Sequence, residues 1–110
     1  MAPPKLGELE LLTLLAAIRL GPDGAYPVSI VEEIRNGAGR KLQRATIYVV
    51  LQRLEKKGLV STHLGEARPE RGGRPRRMVA VEPEGIAAAR ETREALERMW
   101  SGLDLETEHG

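Results

Sequence analysis

Apolar side chains recur along this chain with two different periods, and the change of period marks out its elements. From Leu6 to Leu20 they crowd together as Leu6, Leu9, Leu11, Leu12, Leu14, Leu15, Ala16, Ala17 and Ile18. A run so rich in Leu and Ala predicts a helix. Its apolar surface is wider than one core-facing stripe, so part of it should bury against something beyond its own small domain. Gly21-Pro22-Asp23-Gly24 is a turn. Pro27 then opens a short helix through Arg35, with Ile30, Val31 and Ile34 at helical spacing, and Asn36-Gly37-Ala38-Gly39 reads as the loop that closes it.

The third helix is the best marked. Gln43 stands at its N-cap, with Leu42 and Ile47 at the N′ and N4 positions of a hydrophobic staple. Ile47, Val50, Leu51 and Leu54 define its buried side. At about 100° per residue the opposite side is Ala45, Val49, Gln52 and Lys56, flanked by Tyr48 and Arg53. Lys56 and Lys57 suit the negative end of the helix dipole, and Gly58 supplies the C′ residue. From there the period shortens to two. Leu59 to Leu64 reads as a strand, Gly65 to Pro75 as an arginine-rich turn, and Arg76 to Val81 as a second strand with Val79 and Val81 on one side.

Helical spacing returns after Glu82-Pro83-Glu84, which places Pro at N1 and acids at the positive end of a last helix. This helix should run to about Leu103, with Ile86, Ala89, Leu96, Met99, Trp100 and Leu103 as an apolar seam. A helix of about 20 residues on so small a domain has little core to pack against. Pairing with a second chain is the expected remedy, through Leu11, Leu15, Ile86, Leu96, Trp100 and Leu103. The predicted organisation is a domain over residues 1–81, a dimerisation helix over 82–103 and an acidic tail over 104–110.

Composition narrows the chemistry. A length of 110 residues allows one compact domain, or one domain plus an appended helix, and leaves little room for a second core. Its 41% hydrophobic and 30% charged residues exclude a disordered composition. Zero cysteines exclude a disulfide scaffold, a Cys nucleophile and any thiolate metal site. The longest mostly apolar stretch, Leu9 to Leu20, is too short to span a bilayer and carries Glu10 and Arg19, and Glu8 and Glu10 stand where a basic leader would be. The net charge of +1 hides a block structure. Residues 1–34 carry two basic and five acidic side chains, residues 35–77 twelve and three, and residues 78–110 three and eight. The basic middle therefore coincides with the third helix and the hairpin.

Three helices followed by a basic two-stranded hairpin is the element order of a winged helix-turn-helix, a mainly α fold with a small β hairpin. Such a fold reads the major groove with small and polar residues on its third helix. Ala45 permits close approach, Gln43 and Gln52 can bond base edges, and Arg44 can reach a guanine or a phosphate. Thr46 and Val49 share that face, with Tyr48, Arg53 and Lys56 beside it. Arg68, Arg71 and Arg74 at the hairpin tip, with Arg76 and Arg77 where its second strand begins, would hold the DNA backbone or minor groove. A basic face docking an acidic protein partner is the rival reading.

Leu6-Gly7-Glu8-Leu9-Glu10, Tyr26-Pro27-Val28-Ser29-Ile30, the stretch from Thr46 to Val60 (TIYVVLQRLEKKGLV), and Arg71-Gly72-Gly73-Arg74-Pro75-Arg76-Arg77 resemble the PadR family of transcriptional regulators. The resemblance covers roughly residues 6–100 and is most specific between Thr46 and Val60. It departs from the usual pattern at Pro27, at Met78 and Val79, and at Glu82. What it implies is a homodimeric prokaryotic repressor, cytoplasmic and nucleoid-associated when bound, that takes a palindromic operator and dimerises through its first and last helices. Trp100 then has two readings, the first implied by the resemblance and the second by its own apolar bulk. With Met99 it lines a pocket for a flat aromatic effector, or it packs the dimer core beside Met99 and Leu103. Tyr48 likewise either bonds a phosphate or packs under the wing.

Catalysis is not expected. His63 lies on a predicted strand and His109 in the tail, so no helical His pair or His–carboxylate metal motif exists. Ser29, Ser61 and Ser101 have no nucleophile-elbow setting, and Arg71-Gly72-Gly73-Arg74 lacks the context of a phosphate loop. No metal or cofactor is called for.

Overall fold

In the computed structural model, which describes residues 6–65 and 75–106, α1 spans Glu8–Leu20, α2 Pro27–Ala38 and α3 Arg44–Lys56. Strands β1 (Val60–Leu64) and β2 (Arg77–Val81) follow, and α4 (Pro83–Trp100) ends the fold. The strands pair antiparallel, with Val60 opposite Val81 and Leu64 opposite Arg77. The order is that of a winged helix with one further helix. The arginines predicted for the hairpin tip, Arg68, Arg71 and Arg74, lie outside the described residues.

The core follows from the apolar periods. Leu14 of α1, Ile30 of α2, Ile47 and Leu54 of α3, Leu59 and Val79 are all fully buried. Leu15 and Ile18, on the other side of α1, are exposed. The breadth of apolar surface on the first helix is therefore divided between the core and solvent.

Each element stops for a local reason. α1 starts at Glu8, two residues later than its apolar run, because the Glu10 carboxylate accepts the Gly7 N–H at 2.8 Å and fixes Gly7 as the cap. α2 runs past Arg35 to Ala38, and the segment expected as a loop is its last turn. It ends only where Gly39, at φ +68°, takes the left-handed cap and donates its N–H to the Arg35 carbonyl at 3.0 Å. At the end of α3, Gly58 (φ +75°) and Leu59 donate their N–H groups to the carbonyls of Glu55 and Leu54. That is the Schellman pattern, and it commits Leu59 to the helix end, so β1 begins at Val60.

α4 starts on Pro83 as expected but stops at Trp100, with Gly102 at φ +80° behind it, so Leu103 stands beyond the helix. Its predicted seam is also divided. Ala89 is buried with Gly85 and Ala88 in the core, whereas Ile86, Leu96, Met99 and Trp100 are exposed. Proximity decides this: only the first turns of α4 lie over the hairpin and α1.

Two long-range ties close the domain. Val79 donates its N–H to the Ala25 carbonyl at 2.9 Å, so β2 is hydrogen-bonded to the segment before α2. The second tie is ionic. Lys57 Nζ lies 2.7 Å from Glu10 Oε2, joining the C-terminus of α3 to the N-terminus of α1, and Glu10 is only 8% exposed. Burial pushes the Glu10 carboxyl up. The Gly7 N–H, the Lys57 ammonium and the nearby Arg53 charge outweigh burial and hold it below the usual carboxylate range.

A carboxylate held low in the folded state contributes stability above its unfolded value and loses it as the pH falls through the folded value. Glu10→Gln is expected to cost about 2 kcal/mol at neutral pH, the scale of a hydrogen bond to a charged group. The gap from wild type should close in acid. Urea unfolding of both proteins across the carboxylate range checks this, and a gap independent of pH would refute it.

Candidate nucleic-acid interface

α3 presents its core stripe inward and leaves the predicted reading face open. Gln43, Arg44, Ala45, Gln52, Arg53 and Lys56 are exposed, Val49 is 48% exposed, and Thr46 is half-buried at the rim. An exposed valine among small and polar side chains has no role in this core, so the face is available to a partner. No acidic side chain precedes Glu55 on this helix, while Arg53 and Lys56 occupy its last turn.

The base of the wing sits against the start of α2 and the flank of α3. The guanidinium of Arg76 lies 4.2 Å over the centre of the Tyr26 ring, a cation–π stack onto the N-cap residue of α2. On the α3 side, Arg77 Nη1 donates to Thr62 Oγ1 at 3.1 Å, and Thr62 donates to Glu55 Oε2 at 3.1 Å. Arg44, Arg76 and Arg77 thereby line one cleft of about 310 Å³ with Tyr26, Val28 and Tyr48. A second cleft of about 260 Å³ between Tyr48, Gln52, Glu55, Thr62 and Arg77 adjoins it. Tyr48 is 45% exposed and lines both clefts, at the junction of helix and wing.

The structure thus brings most of the predicted site residues together on one side. It also distinguishes Arg76 and Arg77 from the rest, because both side chains are engaged within the fold. Tyr26, Thr62 and Glu55 were not anticipated. Only the position of Glu55 one turn before Gly58, next to a strand carrying Thr62, hinted at the Thr62–Glu55 hydrogen bond.

The far end of α4 forms a separate feature. Met99 and Trp100 are 75% and 57% exposed and line none of the main cavities of the described residues. Leu96, Leu103 and Leu105 are exposed as well, as is Leu15 on α1, while Leu11 is half-buried. Among the described residues no group of three or more His, Asp or Glu could hold a metal ion, and no helix is long and apolar enough to cross a membrane.

Comparison with known proteins agrees with this geometry. The family described as "Transcriptional regulator PadR-like family" matches residues 14–91, more than half of the chain. A PadR family transcriptional regulator from Eggerthella lenta is 25% identical, with 86% of this chain and 81% of that one aligned at a TM-score of 0.67. A PadR-like transcription factor from Bacteroides fragilis is 23% identical over 83% and 82% of the two chains, at a TM-score of 0.68. BpsR of Bordetella bronchiseptica, whose DNA binding is regulated by 6-hydroxynicotinic acid, is 19% identical over 96% and 74%, at a TM-score of 0.64. No curated protein matches the chain.

Proposed function

Since the chain belongs to the PadR-like family of transcriptional regulators, we propose that it is a sequence-specific repressor that binds a palindromic operator as a homodimer. The observation that carries this reading is the open face of α3, where Gln43, Arg44, Ala45, Val49 and Gln52 stand exposed beside a basic wing base. Those residues enter the major groove, Tyr48, Arg53 and Lys56 flank it, and the arginines of the wing hold the backbone. Residues 1–81 form the DNA-binding unit and residues 82–103 the dimerisation helix. The exposed apolar end of α4, with Leu15 and Ile18 on α1, is the surface that pairing covers. The working place is the cytoplasm, on the nucleoid.

Two winged helices related by a two-fold axis require half-sites one helical turn apart or a multiple of it. Selection of bound sequences from random duplex DNA is expected to return a palindrome with that spacing. Recovery of no preferred sequence would overturn the reading. The selected duplex is also the probe for an effector. A planar aromatic compound that releases it and quenches the fluorescence of Trp100 would assign sensing to the dimer seam, and release without quenching would move the sensor elsewhere.

A further inference from the structure

The wing of a winged helix is a two-stranded hairpin, which has little stability by itself. Its placement on DNA therefore depends on what holds its base. Three observations converge on Arg76. Its guanidinium stacks on Tyr26 at 4.2 Å. Its backbone carbonyl accepts the Gly65 N–H, which closes the hairpin beyond the last strand pair. Its Nη2 is buried and, among the described residues, has no hydrogen-bond partner. An arginine reaching for phosphate keeps its fork of donors in solvent. Arg76 instead lays its planar face on an aromatic ring with one edge shielded. Tyr26 is itself fixed, since its N–H donates to Ser29 Oγ at 3.0 Å, and that hydroxyl donates to the Gly24 carbonyl at 2.6 Å.

We propose that Arg76 is a positioning residue rather than a phosphate contact: its stack on Tyr26 locks the wing base to the N-terminus of α2, so that wing and α3 meet the duplex as one surface. The assignment rests on the DNA-binding reading above. It changes the expected role of Arg76, because the face of the guanidinium matters and its charge alone does not suffice. Lysine supplies the charge without the planar face.

The test uses the full-length protein and the duplex selected from random DNA, with affinity measured over a range of salt concentrations. Tyr26→Leu and Arg76→Lys are each expected to weaken binding about tenfold, the scale of a partly desolvated cation–π pair. The slope against salt should stay as in wild type, since no phosphate contact is lost. The double variant should bind no worse than either single one, and Tyr26→Phe, which keeps the ring, should restore wild-type affinity. Thermal unfolding of each variant separates lost placement from lost fold, and Arg76→Lys leaves the test open if Tyr26→Leu does not fold. Wild-type affinity for Arg76→Lys, with a slope lowered by about 0.9 for Arg76→Ala, would make Arg76 a phosphate contact and overturn the proposal. Wild-type affinity for Tyr26→Leu would overturn it also. A wild-type chain that selects no duplex would instead overturn the DNA-binding reading, and the proposal with it.

Discussion

Gly85→Ala is expected to lower stability by about 3 kcal/mol, the upper end of the usual cost of forcing a methyl group into a packed site. A Cβ at Gly85 would lie 2.3 Å from the Leu59 carbonyl oxygen and 2.9 Å from Val81 Cγ1. The first of these is backbone that cannot move aside, because the same carbonyl accepts the Glu82 N–H at 2.9 Å. The methyl group would lift the first turn of α4 off the hairpin and loosen Ala88 and Ala89 from the core. For a chain of this size the melting temperature should fall by roughly 10–20 °C. Gly37→Ala is the matched control. Gly37 is helical, and a Cβ there would meet nothing within 4 Å. Ala should therefore stabilise α2 by about 0.5–1 kcal/mol. Melting curves of the two variants moving in opposite directions would confirm the close approach, and an unchanged curve for Gly85→Ala would contradict it.

Arg44→Ala should weaken binding to the selected operator by about 10- to 100-fold, the range for one bidentate base contact. Arg44 is the first residue of α3 and lines the cleft shared with Tyr48 and the wing base. On the reading proposed above, it is the exposed arginine at the end of α3 that would enter the groove first. The loss should be accompanied by relaxed preference at one position of each half-site, read from a second round of selection with the variant. Lys56→Ala, at the far end of the helix, should instead weaken all duplexes evenly and reduce the salt slope. Wild-type affinity for Arg44→Ala would remove Arg44 from the proposed base contacts.

Periodicity exposed the element order because each helix and strand carries its own apolar stripe, and Ile47, Val50, Leu51 and Leu54 proved to be the buried side of α3. The exposed face of α3 followed by subtraction, as whatever was left outside that stripe. What stayed hidden depends on partners far apart in the chain. Glu10 and Lys57 are 47 residues apart, and no local pattern shows that a helix start and a helix end will meet. Tyr26 and Arg76 are hidden for the same reason, and without their stack Arg76 looks like any other wing arginine. Ala89 parts from the rest of its seam because helical spacing defines a face but not how far along the helix its support extends. Asn36-Gly37-Ala38 read as a loop because Gly37 resembles a stop. The stop is Gly39, whose left-handed φ an isolated glycine does not announce.

The support of α4 ends early. Gly85, Ala88 and Ala89 are its buried residues, and from Arg93 onward every described side chain is exposed. From Gly85 to Trp100 the helix rises roughly 22 Å, so a tilt of about 10° at its seat swings the far end by about 4 Å. That exceeds the rise between neighbouring base pairs, roughly 3.4 Å. In a dimer joined through the far ends, α4 would act as a lever arm. On the homodimeric reading proposed above, the tight seat of Gly85 on Leu59 would therefore fix the reach between two winged helices to within about one base-pair step.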